Sequence, residues 1–373
     1  MTQTVNIGVI GVGAFMARQH LPNMLRNPAI RIHTLCDVDE VLLAQRAVEF
    51  LPRRTTQRAE EVFADPEIQA VMIGTRANLH AAFVQMAARH GKGVFVEKPM
   101  AMNYEQVRDV LAAVRESKIQ VGVGFNRRFA PIMVEARQLF RQCRRGAANV
   151  MYRIVDDHRI RPRYIFDMNN GGGHLLQEGC HVFDLLAWFL DEEPVEVFAA
   201  GPIETDNAVI VKYSGGSIAT LLCGGKGGLF YPKELMEAFS GWTTLAMDQF
   251  YELRVDGPGQ KLLKTFSLDP KSELSPDEPN MTGYYRASFS QRPEHDVTDL
   301  GEGNRLHRLR VDKGHAQAIA AFAAALTGEG SYSADAIAGA RATVCALKAY
   351  ESIKTNRPAA IRPSEYGMED NRK

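Results

Sequence analysis

The chain reads as an α/β protein, with an N-terminal doubly wound parallel sheet followed by an α+β domain on an open, mainly antiparallel sheet. Three observations predict this. The first third alternates short apolar runs with amphipathic stretches, a glycine-rich loop at Gly11-Val12-Gly13 follows the first run, and after Phe125 the runs lengthen and are joined by turn residues. Alternating β and α over about 120 residues demands a parallel sheet covered on both faces. Neighbouring strands with short turns demand antiparallel pairing.

Taken in order, Val5–Ile10 is the first strand and Ala14–Leu25 the helix after it. Ile30–Cys36 is a second strand that ends at Asp37, and Asp39 caps a helix predicted to bury Val41, Ala44 and Val48 on one face. Ala70–Ile73 and Val94–Val96 are buried strands, separated by a helix that stops near Gly91. Asn103 caps a helix with Val107, Val110, Leu111 and Val114 on one face, and Gln106 completes a capping box. Gln120–Gly124 is the last strand of this sheet, which divides the chain into 1–122 and 123–373. Asn149–Val155, Val195–Ala199, Ala208–Tyr213, Ser217–Cys223 and Leu235–Phe239 are strands of the second domain, with a hairpin turn at Ser214-Gly215-Gly216. Residues 269–305, rich in Pro, Asp, Glu and Ser, read as a long excursion, and helices follow at about Lys313–Leu326 and Ala334–Ile353.

The bulk numbers exclude several classes. At 373 residues two domains are the default. Lys+Arg and Asp+Glu both number 44, so no net field draws nucleic acid or an anionic membrane. Five scattered cysteines with no C-x-x-C pair point to reduced thiols in a cytoplasm, without a disulfide framework or structural zinc. Met1-Thr2-Gln3-Thr4 lacks the basic region of a signal peptide, and no apolar stretch approaches the roughly 20 residues of a membrane span.

The chemistry concentrates at strand ends. Gly11-x-Gly13 after a strand and before a helix lets backbone N–H groups approach a pyrophosphate, although Met16 stands where the third glycine of that pattern belongs and predicts looser or shifted helix packing. Asp37 is placed to accept both ribose hydroxyls and repel the extra phosphate of NADP, which favours NAD, while Asp39 is the better helix cap. Lys98 ends the run Gly93–Glu97 and precedes Pro99, which stiffens it at the carboxyl edge of the sheet, where such folds bind cofactor and substrate. In Gly171-Gly172-Gly173-His174 to Asp184, a helix would set Gln177 and His181 one turn apart, with His181 as base; Cys180 is a small buried filler. His174, Glu178 and His181 at spacings of 4 and 3 could instead point at a metal, which needs a further ligand and a helix intact through the glycines; no metal is expected. Asn126-Arg127-Arg128 lies near the crevice, and Arg159, Arg161 and Arg163, with Tyr164, either clamp an acidic substrate or form a solvated face.

Together these pieces resemble the Gfo/Idh/MocA oxidoreductases. The resemblance is carried by Gly11 and Gly13, by Thr75 and His80 within Gly74–His80, by Gly91 to Pro99, by Asn126–Phe129, and by Gly179-x-His181-x-x-Asp184. It implies a Rossmann domain, an open sheet on which homodimers or homotetramers assemble, a cis Pro99, and catalysis by Lys98 and His181. It further implies a cofactor site of Gly11, Gly13, Ala14, Phe15, Met16, Asp37, Thr75, Asn78, His80, Glu97 and Lys98. Gln177, Asn126, Arg127, Arg163 and Tyr164 are then the substrate contacts. Two positions depart from the family: Gln177 replaces the usual Asp four residues before the histidine, and Thr75-Arg76 replaces Thr-Pro. Glu178 substitutes for that acid only if the helix is rotated. The implied activity is NAD-dependent interconversion of a secondary hydroxyl and a ketone on a sugar, cyclitol or related polyol. The alternatives are a glycosidase that retains NAD and uses transient oxidation, and a catalytically silent NAD-binding regulator.

Overall fold

The computed structural model describes residues 4–160, 163–228, 230–268, 274, 277–290 and 310–369. Its first sheet has six parallel strands in the order β3-β2-β1-β4-β5-β6. In chain order these are β1 (Val5–Ile10), β2 (Ile30–Cys36), β3 (Arg54–Thr56), β4 (Ala70–Ile73), β5 (Gly93–Val96) and β6 (Val121–Val123). Every residue of β4 and β5 is buried because helices cover both faces. These helices are α1 (Leu21–Arg26), α2 (Glu40–Phe50), α3 (Ala59–Ala64), α4 (Ala77–Arg89) and α5 (Tyr104–Ser117). The order reverses between β1 and β4, and a doubly wound sheet opens its binding crevice at that point.

Local chemistry sets the helix ends. Asp39 accepts from the Leu42 N–H, and Asn103 accepts from Gln106 N–H while Gln106 reaches back to Met102 N–H. One expectation fails: α2 buries Leu43 and Phe50, and Val41, Ala44 and Val48 face solvent. The apolar spacing of Leu43 and Phe50 is equally helical, and it is the one that meets the sheet.

The second sheet has nine strands in the order β14-β13-β12-β11-β7-β10-β9-β8-β15. They are β7 (Asn149–Val155), β8 (Pro194–Ala200), β9 (Asn207–Tyr213), β10 (Ile218–Gly224), β11 (Glu234–Ser240), β12 (Thr243–Asp248), β13 (Glu252–Gly257), β14 (Gln260–Thr265) and β15 (Ala359–Ala360). The β7–β10 pairing is parallel and the others are antiparallel. Strands β12 to β14 were not foreseen. Part of the 269–305 excursion is also a helix, α8 (Met281–Ser290), whereas 291–305 lies outside the described residues.

Three helices pack on this sheet or beside it: α6 (Pro131–Cys143), α7 (Cys180–Leu190) and α10 (Ala336–Thr355), and α9 (His315–Leu326) joins the first domain. α10 touches β8, α7 and α5, so it ties the two domains together. Small residues permit the close approach: Ala338, Gly339, Ala340, Ala342, Ala346 and Ala349 are all buried. Among the described residues no helix is long and apolar enough to cross a membrane, and the five cysteines are free and buried.

Candidate active site

The fingerprint loop and the β4 end face each other across the crevice. Gly11 turns with φ +86°, Gly74 N–H donates to the Ile10 carbonyl at 2.8 Å, and a Cβ on Gly11 would lie 2.8 Å from the Gly74 carbonyl carbon. Met16 does not loosen this packing. Its side chain is buried over Gly74, where a Cβ would come within 2.4 Å of its Cγ and Sδ, so the missing side chain is on the strand end and not on the helix. The helix adapts with a π turn at Met16–His20. Gly13 has nothing within 4 Å of an ideal Cβ, leaving its backbone open, while Ala14 and Phe15 are exposed beside it. Asp37 accepts from Val12 N–H at 2.8 Å and from Asp39 N–H at 3.1 Å, which fixes its carboxylate beside the loop. Open backbone at Gly13 and an anchored carboxylate at Asp37 fit a dinucleotide.

Other residues implied for the cofactor site act from beneath it. His80 is buried between the Thr75 loop and the turn after Lys98, with Nδ1 2.8 Å from the Pro99 carbonyl and Nε2 3.1 Å from the Thr75 carbonyl, and the neutral ring donates to one of the two. Asn78 is exposed on the first turn of α4 and Thr75 is half-buried. Glu97 is buried, with Oε1 2.6 Å from His20 Nε2. Burial pushes the Glu97 carboxyl up, but the His20 bond and the nearby charges outweigh it and hold the group below its usual range.

Lys98 leaves β5 next to a cis Lys98–Pro99 bond. Its Nζ donates to the Gln177 backbone carbonyl at 2.7 Å and lies 3.7 Å from Glu178 Oε1. This follows from a second π turn, Leu175–Gly179, which leads into α7. Its i→i+5 bonding takes up one extra residue, so Glu178 and not Gln177 faces the lysine. Gln177 turns its amide to the Gly171 carbonyl. The glycine run makes this possible: Gly172 and Gly173 have φ +82° and +81°, and Tyr350 Oη donates to Gly172 O at 2.8 Å.

His181 is buried, edge-on to Phe125, with Nδ1 buried and without a hydrogen-bond partner. Burial, then the charges of Arg127 and Lys98, hold its pKa well below 6.5, so the ring is neutral. The neutral form is what a general base requires. Burial also pushes the Cys180 thiol up to about 12, as befits a core filler.

Residues at the ends of β7 and β11 extend the network around Glu178. Glu178 Oε2 lies 2.8 Å from Lys233 Nζ, and Lys233 lies 3.1 Å from Asp156 Oδ2. Arg127 pairs with Glu234 through Nε at 2.7 Å and Nη2 at 3.0 Å, while Tyr152 Oη and Lys313 Nζ donate to the same carboxylate at 2.7 and 2.6 Å. Arg127 is therefore committed to a buried network, and it reaches the pocket only by its 3.7 Å approach to Glu178. Asn126 donates to the Lys313 carbonyl at 2.7 Å. Lys233, Glu234 and Asp156 were missed in the sequence because only strand pairing brings them near Lys98, and no local spacing signals it.

Two of the three arginines of the expected clamp are described. Arg159 turns onto Asp157, Arg161 lies outside the described residues, and Arg163 is exposed. Tyr164 is 38% exposed and sits under the Arg76 guanidinium at 5.4 Å, a contact that spans the crevice.

Residues 5–125 match the oxidoreductase family with an NAD-binding Rossmann fold, and residues 133–226 match the GFO/IDH/MocA C-terminal domain. An inositol 2-dehydrogenase from Rhizobium meliloti is 31% identical over 206 residues, which is 55% of this chain and 61% of that protein. The matched segments span 58–61% of the length of the curated relatives considered. Among solved structures, an oxidoreductase domain protein from Kribbella flavida superposes with a TM-score of 0.77 at 18% identity over 96% of this chain and 99% of its own. A levoglucosan dehydrogenase in complex with NADH and levoglucosan superposes with a TM-score of 0.75 at 20% identity over 96% of this chain and 100% of its own. At such identities these two structures speak to the fold. With both family domains matched in order around the crevice, the chain belongs to the Gfo/Idh/MocA oxidoreductase family.

Proposed function

We propose that this chain is an NAD-dependent dehydrogenase that interconverts a secondary hydroxyl and a ketone on a sugar, cyclitol or related polyol. One observation carries the reading: a lysine at the carboxyl edge of a parallel sheet is held by the backbone carbonyl of Gln177, and its charge acts on a buried neutral histidine of the helix that follows, with an open glycine loop and an anchored aspartate on the same sheet. The inositol dehydrogenase relative supports the substrate class.

NAD, when bound, supplies the hydride acceptor. Gly11, Gly13, Ala14 and Phe15 would hold its phosphates and Asp37 its ribose, with Met16, Thr75, Asn78, His80 and Glu97 shaping the loops. His181 takes the proton of the substrate hydroxyl; Nδ1 is enclosed, so Nε2 is the nitrogen that meets it. Lys98 Nζ donates to the same oxygen and stabilises negative charge developing there. Glu178, 3.7 Å from Lys98, does what Gln177 cannot: its charge orients the ammonium. Glu178 and Lys233 then face the neighbouring hydroxyls, while Gln177, Asn126 and Arg127 hold the walls. Arg163 and Tyr164 border the opening.

The exposed face of the second sheet carries Ile210, Ile218, Leu222 and Phe239, each 39–50% exposed, and this face is the proposed surface for a homodimer or homotetramer. Buried reduced thiols and balanced charge suit a cytoplasmic enzyme without nucleic-acid or membrane partners. The test is absorbance at 340 nm with NAD or NADP and a panel of inositols, aldoses, anhydrosugars and sugar acids. A rise with NAD and one substrate class is expected. Silence in both directions, with NAD binding established, would contradict the reading.

A further inference from the structure

Two imidazoles and a carboxylate converge beyond Lys233, the lysine that pairs with Glu178. Asp156, His158 and His174 each offer one ligand atom, and those atoms all lie within 4.8 Å of one another. Asp156 follows β7, His158 begins a short 3-10 turn, and His174 follows the glycine run, so three separate backbone features aim them at one point. The two imidazole rings stand perpendicular with centroids 4.6 Å apart, and Phe166 packs against His158 at 4.2 Å. Space for the His158 ring exists because residue 225 is glycine: a Cβ there would fall 1.7 Å from it.

Neighbouring groups also hold the three residues. Thr205 Oγ1 lies beside the His158 ring, 3.3 Å from Nδ1 and 3.5 Å from Nε2, Cys223 Sγ lies 3.5 Å from His174 Nδ1, and Lys233 Nζ lies 3.1 Å from Asp156 Oδ2. His158 Nε2 lies 3.8 Å from Asp156 Oδ1. Outer partners of this kind orient metal ligands and set the imidazole tautomer. Two imidazoles with one carboxylate suit Zn²⁺, Mn²⁺, Fe²⁺ or Co²⁺ over the oxygen-seeking Mg²⁺ and Ca²⁺.

We propose that Asp156, His158 and His174 bind a divalent transition-metal ion, and that its open positions take neighbouring oxygens of the substrate. Three protein ligands leave coordination positions free, the pattern of a metal that handles substrate. Lys233 bridges Asp156 and Glu178 at 3.1 and 2.8 Å, which sets the ion one side chain away from the carboxylate beside Lys98. The ion's role toward substrate rests on the polyol reading, whereas the metal site itself does not.

The test titrates the untagged, chelator-stripped 373-residue chain with Zn²⁺, and in parallel with Co²⁺, whose visible spectrum reports its coordination. One bound equivalent is expected, lost in His174→Ala and weakened roughly 10- to 100-fold in Thr205→Val. The Co²⁺ spectrum should shift when a turned-over polyol is added. NAD affinity, measured on every variant, separates loss of fold from loss of ligand, and Thr205→Val decides the matter if His174→Ala does not fold. No saturable Zn²⁺ binding, or wild-type affinity in both variants, overturns the proposal. NADH formation by a chain that binds no metal overturns it and leaves the dehydrogenase reading standing; metal binding without NADH formation does the reverse.

Discussion

Asp37 shows how one side chain can set cofactor choice. Its carboxylate is fixed by Val12 N–H at 2.8 Å, next to Val38, which is 87% exposed, and the proposed function assigns it the adenosine ribose. Replacing Asp37→Ser together with Val38→Arg removes the repulsion and adds a phosphate partner, so the ratio of kcat/KM for NADP over NAD should rise by at least about tenfold. An unchanged ratio would contradict the assignment. Asp37 was legible because a strand end followed by a better cap, Asp39, leaves it unspent. The Gln177–Glu178 pair was legible only as a discrepancy. A regular helix puts Gln177 at the site, and the π turn that substitutes Glu178 has no signature in residue type.

Elements were read well where periodicity or capping carried the signal, and poorly where tertiary contact decided. Five of the six parallel strands and the caps at Asp39 and Asn103 follow from local patterns, whereas the three-residue edge strand β3 was not foreseen. The buried face of α2 and strands β12 to β14 depended on what they pack against. The Met16–Gly74 exchange belongs here too, since a fingerprint lacking its third glycine is repaired by a glycine at the end of β4, the strand paired beside β1. Gly74→Ala should therefore destabilise by about 1–3 kcal/mol through overpacking against Met16. Adding Met16→Ala to that variant should recover part of the loss, because residues in contact do not act additively. Denaturant unfolding of the four proteins checks this, and strictly additive effects would count against the exchange.

At the scale of the molecule, buried neutral histidines link stability to pH. His80, His181 and His315 all have folded-state pKa values below 6.5, each chiefly through burial. The unfolded chain binds those protons more readily, so their contribution is intact above pH 6.5 and is lost as pH falls through the folded values. The thermal midpoint should drop between pH 7.5 and 5.5. Glu97 and Glu234, held below the usual carboxylate range, add to the loss only at lower pH. A midpoint that holds or rises across that window would contradict the neutral state of these rings. The two-domain plan itself was legible from the change in strand length and turn content after Phe125; the way α10 locks the halves together was not, since its alanine face matches several partners equally.

The central claim is that Lys98 and His181 perform proton chemistry at a crevice that binds NAD independently of them. The most direct measurement is single-turnover NADH formation by Lys98→Ala and His181→Ala, with NAD affinity determined on the same samples. Turnover should fall by about 10²- to 10⁴-fold while NAD affinity stays within a few-fold of the parent. Normal turnover in both variants would contradict the account.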